Sequence, residues 1–324
     1  MRHSANFSTI SFSLIVITFS TLLFGCNGEG ISGLASGMQT SGYSRPEVVG
    51  KIQTEDLKES SGLAASECQD VLWTHNDAGS SDALIYAMDT TGKHMGVWKV
   101  TNAGNVDWES IAGYKGPDGK CYVLIADIGD NDEKRSELAI YRIPEPTVSN
   151  ETSSSSRSNS LQTAPAETLK FTYSDGPNNA ETILVNPQTS DIYIVTKEKK
   201  GPAGVHKLKH EFGATTVAKT VKVADIAVPS SPEGLLTGGS FSPDGKRVML
   251  CDVKNGYELV LPDGTADPDA IWKQKPTVID LGERKQGEGV SYGRDGYSLY
   301  ASSEKKNTPL IRIRRQESKS ADSN

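Results

Sequence analysis

Hydrophobic and polar positions along this chain recur in five blocks built from the same parts. Each block opens with a short segment in which a small or acidic residue precedes an aliphatic pair: SSGLAAS at 60–66, WESIAGY at 108–114, AETILVN at 180–186, LTGGSFS at 236–242 and GEGVSYG at 287–293. Turn residues follow, as in Asp118-Gly119, Gln188-Thr189-Ser190, Asp244-Gly245 and Asp295-Gly296. Such residues supply the positive φ or side-chain hydrogen bonds of a tight hairpin. A second apolar stretch then ends in polar residues: VLWTHND, YVLIADIGDN, IYIVTKEK, VMLCDVKN and SLYASSEKK. Third stretches follow (ALIYAMD, LAIYRIP, GVHKLKH, GYELVLP, PLIRIRR), and four blocks add a fourth (HMGVWKV, ETLKFTY, KTVKVAD, PTVIDLG). The fifth block lacks one, and EVVGKIQ upstream of the first block is left over to supply it.

Runs this short, rich in β-branched and aromatic residues and bounded by turn signals, are strands. A four-stranded unit cannot bury both its faces alone, whereas units packed face to face in a ring can. The pattern therefore predicts an all-β fold, a β-propeller of four-stranded blades over 48–315, closed by the strand near 47–53. Five blades are expected. A sixth would have to hide between the second and third blocks, where the spacing is longest. Residues 148–165 there (VSNETSSSSRSNSLQTAP) are Ser-rich and lack apolar alternation, so they read as a surface insertion. A β-sandwich of similar strands is the competing architecture.

The first residues carry an address. A basic start, Met1-Arg2-His3, leads into an apolar run from Phe12 to Phe24. The run falls short of the ~20 residues a membrane-spanning helix needs and fits the core of a secretory signal. Its end, Leu22-Leu23-Phe24-Gly25-Cys26, resembles the bacterial lipoprotein signal. That resemblance implies removal of 1–25 and acylation of Cys26, with chains such as palmitate. The alternative is an ordinary signal peptide with a chance Cys. Residues 26–47, rich in Gly and Ser, read as a tether, and 316–324 as a disordered polar tail. The expected location is exported, lipid-anchored to a bacterial cell-envelope membrane. Three further cysteines, Cys68, Cys121 and Cys251, leave at least one thiol unpaired. A bridge between Cys68 and Cys121 can be drawn, but the unpaired state is the expectation.

Composition narrows the function. The 324 residues carry 34 Lys and Arg against 41 Asp and Glu, a formal net charge of -7. That balance argues against nucleic acid as a partner. Neither GxxxxGK[ST] nor HExxH occurs, and there is no GxSxG nucleophile elbow, since GVSYG at 289–293 is part of a block's opening strand. In a propeller the first strand of each blade lines the channel, and superposed openings place Ser61, Glu109, Glu181, Thr237 and Glu288 at one position, with Glu59 and Glu233 close in sequence. Carboxylates beside apolar residues must be paired, hydrated or bound to a cation. Ca²⁺, which takes oxygen ligands, suits such a set. Superposed second strands put His75, Asp127, Lys197, Asp252 and Ser303 roughly in register, near Asn76, Asp77, Asp130, Asn131 and Glu304. From this mixture His75, Asp127 and Lys197 are candidate catalytic groups, and Glu109, Glu181, Glu288, Asp77 and Asp252 candidate metal ligands. The bland alternative is that strand-end Asp and Asn serve turns. ADIGDND has the composition of a Ca²⁺ loop without its spacing.

The strings SSGLAAS…LWTHNDAG, DWESIA, LIADIGDND…LAIYRIPEP, NAETILVNP…IYIVTK and SFSPDGKRVML resemble a group of exported bacterial propeller lipoproteins of no settled activity, across nearly all of 50–315. More distantly the chain is similar to alkaline phytases, gluconolactonase- and paraoxonase-type lactonases, and TolB- or NHL-like propellers. Several of these enzymes hold Ca²⁺ in the channel with Glu, Asp and Asn. The resemblance implies Glu109, Glu181 and Glu288 as ligands, with Asn76, Asp77, Asp127 or Asp252 as partners. The expected function is an envelope-anchored binding module for a small molecule, glycan or protein, with a divalent cation in the channel. The alternative is a Ca²⁺-dependent phytase-like or lactonase-like hydrolase in which His75 or a carboxylate handles the proton.

Overall fold

Twenty-two strands form five antiparallel sheets arranged as a β-propeller in the computed structural model, which describes residues 42–316 apart from 55, 78–81 and 210–211. The segments read as a signal peptide (1–25), a tether (27–41) and a tail (317–324), together with Cys26, lie outside the described residues. After β1 (Glu47–Lys51), blade 1 holds β2 (Ser60–Ala65), β3 (Val71–Asn76), β4 (Leu84–Asp89) and β5 (His94–Lys99). Blade 2 holds β6 (Trp108–Lys115), β7 (Cys121–Asp127), β8 (Leu138–Pro144) and, past the short β9 (Leu161–Gln162), β10 (Glu167–Thr172). Blade 3 holds β11 (Ala180–Val185), β12 (Ile192–Thr196), β13 (Ala203–Leu208) and, past β14 (Ala218–Lys219), β15 (Val221–Ile226). Blade 4 holds β16 (Gly238–Phe241), β17 (Arg247–Cys251), β18 (Asn255–Val260) and β19 (Thr277–Asp280). Blade 5 holds β20 (Gly287–Tyr292), β21 (Ser298–Ser303) and β22 (Pro309–Arg314), and β1 completes it by pairing antiparallel with β22.

The ring closes because its first and last strands share one sheet, which removes a free edge. Residues 42–47, the end of the segment read as a tether, belong to this closure. Tyr43 is buried and donates to Glu258 Oε1 over 2.5 Å, where Tyr292 also donates over 2.7 Å. The Ser-rich insertion turns back over blade 1. Thr152 Oγ1 donates to the Met95 carbonyl at 2.7 Å, Ser155 Oγ accepts from Val97 N at 2.9 Å, and β9 adds to β5 in parallel.

Each seam between neighbouring blades carries its own apolar cluster, and strand alternation feeds two of them at once. In β12, Ile192 and Ile194 face blade 2 while Tyr193 and Val195 face blade 4. In β3, Trp73 packs toward blade 2 and Leu72 toward blade 5. Period-2 side chains buried on both faces explain why these strands read as near-continuous apolar runs. A fully buried side chain of this kind stabilises by roughly 1.5–3 kcal/mol.

Small residues let the innermost strands approach. A Cβ on Gly113 would sit 2.7 Å from the Ala65 carbonyl oxygen, and one on Gly238 2.7 Å from that of Glu288. Hydroxyls tie the same strands together. Ser61 Oγ donates to the Glu109 carbonyl (2.8 Å) and Thr237 Oγ1 to the Gly287 carbonyl (2.9 Å). Ser110, Ser240 and Ser291 accept from Ile183 N, Tyr292 N and Ala65 N, at 3.1, 2.8 and 2.9 Å.

One expectation is overturned here. Cys68 and Cys121 form a disulfide, and the buried Cys251 remains a thiol. Both partners sit at the hairpin ends of adjacent blades, which the ring brings to a Cα separation of 6.2 Å. Gln69 fastens the same corner, donating to the Pro146 carbonyl and accepting from Val148 N.

Candidate functional site

Four of the five opening strands contain a β-bulge or register shift, and in three of them the skipped residue is the glutamate. Trp108 pairs with Asp127 and Ser110 with Ala126, leaving Glu109 outside the ladder. Glu181 is skipped between Ala180 and Thr182, and Glu288 between Gly287 and Gly289. A bulge re-aims a side chain and ends regular pairing. The three carboxylates are only 4%, 5% and 5% exposed, yet they act on one another. Burial and then the charge of Glu181 push Glu288 up to about 8. Burial, followed by Glu181, Asp77 and Asp107, holds Glu109 far above an ordinary carboxyl.

Two carboxylate groupings divide the site. Asp77 at the end of blade 1 joins Asp107 and Glu109 of blade 2, with one oxygen of each lying within 4.8 Å of the others. Asp107 is raised by burial, with Asp127 and Asp130 adding to it against Arg135. Glu181 pairs with Lys197 Nζ. Burial raises Glu181 more than this pairing lowers it. Burial alone would lower the Lys197 ammonium, but Glu181, Glu288 and Glu109 together carry it above its usual value. Glu304, beside Lys305 Nζ at 3.1 Å, adds negative charge toward Glu181 and Glu288.

The remaining sequence candidates divide sharply. Ser61 and Thr237, superposed on the glutamates, spend their hydroxyls on inter-blade hydrogen bonds. Glu59 and Glu233 are exposed. Among the second-strand ends, Asp127 and Ser303 are in register, opposite Trp108 and Gly287. Asn76 and Thr196 take the matching places opposite Ser60 and Ala180, so His75 falls one residue short and Lys197 one beyond. Cys251 opposite Gly238 matches Ala126 opposite Ser110 and Ser302 opposite Gly289, which leaves Asp252 in register with Asp127 and Ser303. His75 is fully buried within blade 1, its ring edge-on to Trp108 at 5.8 Å. Burial pushes it down to about 4, so it stays neutral. Asp127 is held by Arg135 at 2.7 Å and accepts from Val106 N and Asp107 N, which fixes the loop presenting Asp107. Asp252 accepts from Lys254 N, Asn255 N and the Tyr257 hydroxyl and so serves its own turn. The ADIGDND loop is likewise internally satisfied: Asp130 accepts from Lys134 N and Arg135 N, and Asp132 pairs with Lys134. Asn76 accepts from Lys58 N and Glu59 N.

Asp107 was not among the sequence candidates for a metal. Its signal lay in Asp107-Trp108-Glu109, two acids one residue apart at the entry to an opening strand. Gly129 shapes the space in front of the pair. A Cβ there would lie 2.3 Å from Asp107 Oδ2 and 2.7 Å from Glu109 Oε1. An all-oxygen donor set, a surplus of negative charge and an opening that one methyl group would fill fit a hard divalent cation.

Neither a family model nor a curated protein sequence matches this chain. Solved structures with a similar arrangement include a gluconolactonase from Xanthomonas campestris and the apo form of the soluble aldose sugar dehydrogenase of Escherichia coli. The first is 12% identical over 84% of this chain and 89% of that one, with a TM-score of 0.46. The second is 11% identical over 85% and 100%, with a TM-score of 0.41. At these values neither likeness bears on the chemistry of the channel.

Proposed function

We propose that this protein is a lipid-anchored, exported binding module whose channel mouth takes a hard divalent cation, Ca²⁺, and with it a small polar ligand. Asp77, Asp107 and Glu109 are the cation ligands. The Glu181–Lys197 pair and Glu288 form the adjoining wall that a ligand meets. The observation that carries this reading is the approach of three carboxylate oxygens, from two blades, to within 4.8 Å of one another. Like charges so placed raise each other's pKa, and a bound cation relieves them. The anchor and the exported location rest on the basic start, the apolar run and Cys26.

The test is calorimetric titration of chelator-treated protein with CaCl₂, alongside thermal melting. The expected outcome is saturable binding and a raised melting temperature, as for any ligand that prefers the folded state. Glu109→Gln and Gly129→Ala are expected to lose at least tenfold in affinity. A flat titration of the wild-type protein would remove the cation from this proposal. Incorporation of labelled palmitate that persists in Cys26→Ala would remove the anchor.

A second reading, cation-assisted hydrolysis of a small ester or lactone, draws on one observation. Glu181 is a buried carboxyl raised by its surroundings and touching an ammonium, an arrangement suited to holding or passing a proton. It predicts turnover that disappears in Glu181→Gln while Ca²⁺ binding at Asp77, Asp107 and Glu109 persists.

A further inference from the structure

On the opposite side of the ring the charge reverses. Between blades 4 and 5, the turn after β17, the link before β20 and the loop after β21 enclose a cleft of about 590 Å³. Its walls carry Lys254, Arg284, Lys285, Lys305 and Lys306 against a single carboxylate, Glu283. Lys305 is paired with Glu304, but among the described residues Lys254, Lys285 and Lys306 take part in no ion pair. The lysines are exposed, and taken alone they would be an ordinary solvated surface.

Arg284 is different. It is 8% exposed, and its Nη2 donates to the Asp252 carbonyl at 3.2 Å. Its Nε and Nη1 are buried with no hydrogen-bond partner. Asp252, whose carbonyl takes Nη2, spends its carboxylate on its own turn and Tyr257. The neighbouring Cys251 thiol touches the guanidinium but is pushed up by burial, so it adds no charge, and Glu288 is the acid whose charge reaches this spot. A buried guanidinium with idle donors is costly unless something completes it. Idle guanidinium N–H groups can make charge-assisted hydrogen bonds to phosphoryl oxygens, and flanking ammonium groups add charge at no fixed geometry.

We infer that this cleft is an oxyanion site, with Arg284 at its floor and Lys254, Lys285 and Lys306 at its rim, for inorganic phosphate or the phosphate of a small ester. The site stands apart from the cation ligands and does not depend on the channel reading. It is nevertheless joined to the channel wall through the chain: Ser303 lines the cleft, and the next residue, Glu304, acts on Glu181 and Glu288.

The experiment is titration of the full chain with sodium phosphate at low and moderate ionic strength, with sodium chloride as control and vesicles containing phosphatidylglycerol as a separate arm. Saturable 1:1 phosphate binding near or below about 1 mM that chloride does not reproduce is expected. Arg284→Gln is expected to abolish it. Because Arg284 is buried, the exposed pair Lys254→Gln/Lys306→Gln serves as a second variant with an intact fold, expected to bind at least fivefold more weakly. Wild-type protein that takes up no phosphate overturns the inference. So does affinity unchanged in both variants. Vesicle binding without uptake of free phosphate also overturns it, by assigning the charge to a membrane surface. Calcium titration of the same variants separates the two sites, since it is expected to be unchanged by Lys254→Gln/Lys306→Gln.

Discussion

The seam between blades 1 and 2 and the seam between blades 4 and 5 are built on one plan and finished with opposite charge. Both have an apolar middle, Trp73, Trp98 and Trp108 in one and Met249, Val290 and Leu299 in the other. Both are fastened at the hairpin end. The first uses the Cys68–Cys121 bridge, and the second uses Tyr43 and Tyr292 on Glu258. At the other end the first seam gathers Asp77, Asp107 and Glu109, and the second gathers Arg284 and its lysines. The fastened ends pair most of their polar groups internally, although Glu145 Oε2 and Arg247 Nε are left without a hydrogen bond. The open ends hold like charge together, which the fold gains nothing from by itself. That contrast is why binding is assigned to the open ends and cohesion to the fastened ones.

The largest expected effect tests the division at the fastened end. Cys68→Ser opens a crosslink between positions 53 residues apart. The chain-entropy model puts the loss at about 4 kcal/mol, read as a lower urea midpoint. Cation affinity at the far end of the same seam should stay unchanged. A variant as stable as the wild type would show that the apolar middle alone holds the seam. A variant of full stability but reduced Ca²⁺ affinity would show that the two ends are not separate.

A smaller effect comes from the open end. Glu109, Glu181 and Glu288 all lie above the ordinary value of 4.5, Glu288 at about 8. The folded protein therefore holds protons that the unfolded chain has released. Stability from this source is complete below pH 4.5 and is lost as pH rises, first through about 7 and about 8 for Glu181 and Glu288 and then on toward about 11 for Glu109. In chelator the melting temperature should fall across that window, and CaCl₂ should flatten the fall. Lys197→Met removes the one ammonium paired with Glu181 and should steepen it, while Lys254→Gln at the other seam should leave it as it was. A chelated melting curve independent of pH would mean that these carboxylates are already neutralised by another route.

How much of this could be read from the chain follows from which physics each feature uses. Alternation and turn chemistry are local, so the blades, their order and the closing strand were legible in blocks such as YVLIADIGDN and in the stray EVVGKIQ. The convergence of the glutamates was legible because a repeat position maps to one radius of a ring. Register was less so. A register counted off along the sequence can slip by one residue, and it put His75 in the place that Asn76 holds opposite Ser60, as Asp127 is opposite Trp108 and Ser303 opposite Gly287. Partners set by distant loops were not legible at all. Nothing near Asp127 in the opening pattern announces Arg135, and nothing in GERKQGE separates the buried Arg284 from the exposed lysines beside it.

The smallest predicted effect asks whether a repeat position has one job or two. Ser61 sits where Glu109, Glu181 and Glu288 sit in their blades, but its hydroxyl donates to the Glu109 carbonyl. That carbonyl belongs to a bulged residue and to the inner ring, where the ladder does not serve it. Ser61→Ala leaves it buried and unpaired, at a cost of about 1 kcal/mol, seen as a modest drop in urea midpoint. Because the hydroxyl points along the ring and not at a cation, Ca²⁺ affinity should be retained within twofold. A large loss of affinity with little loss of stability would make Ser61 a ligand after all. It would then move blade 1 from the ties to the carboxylate side of the channel.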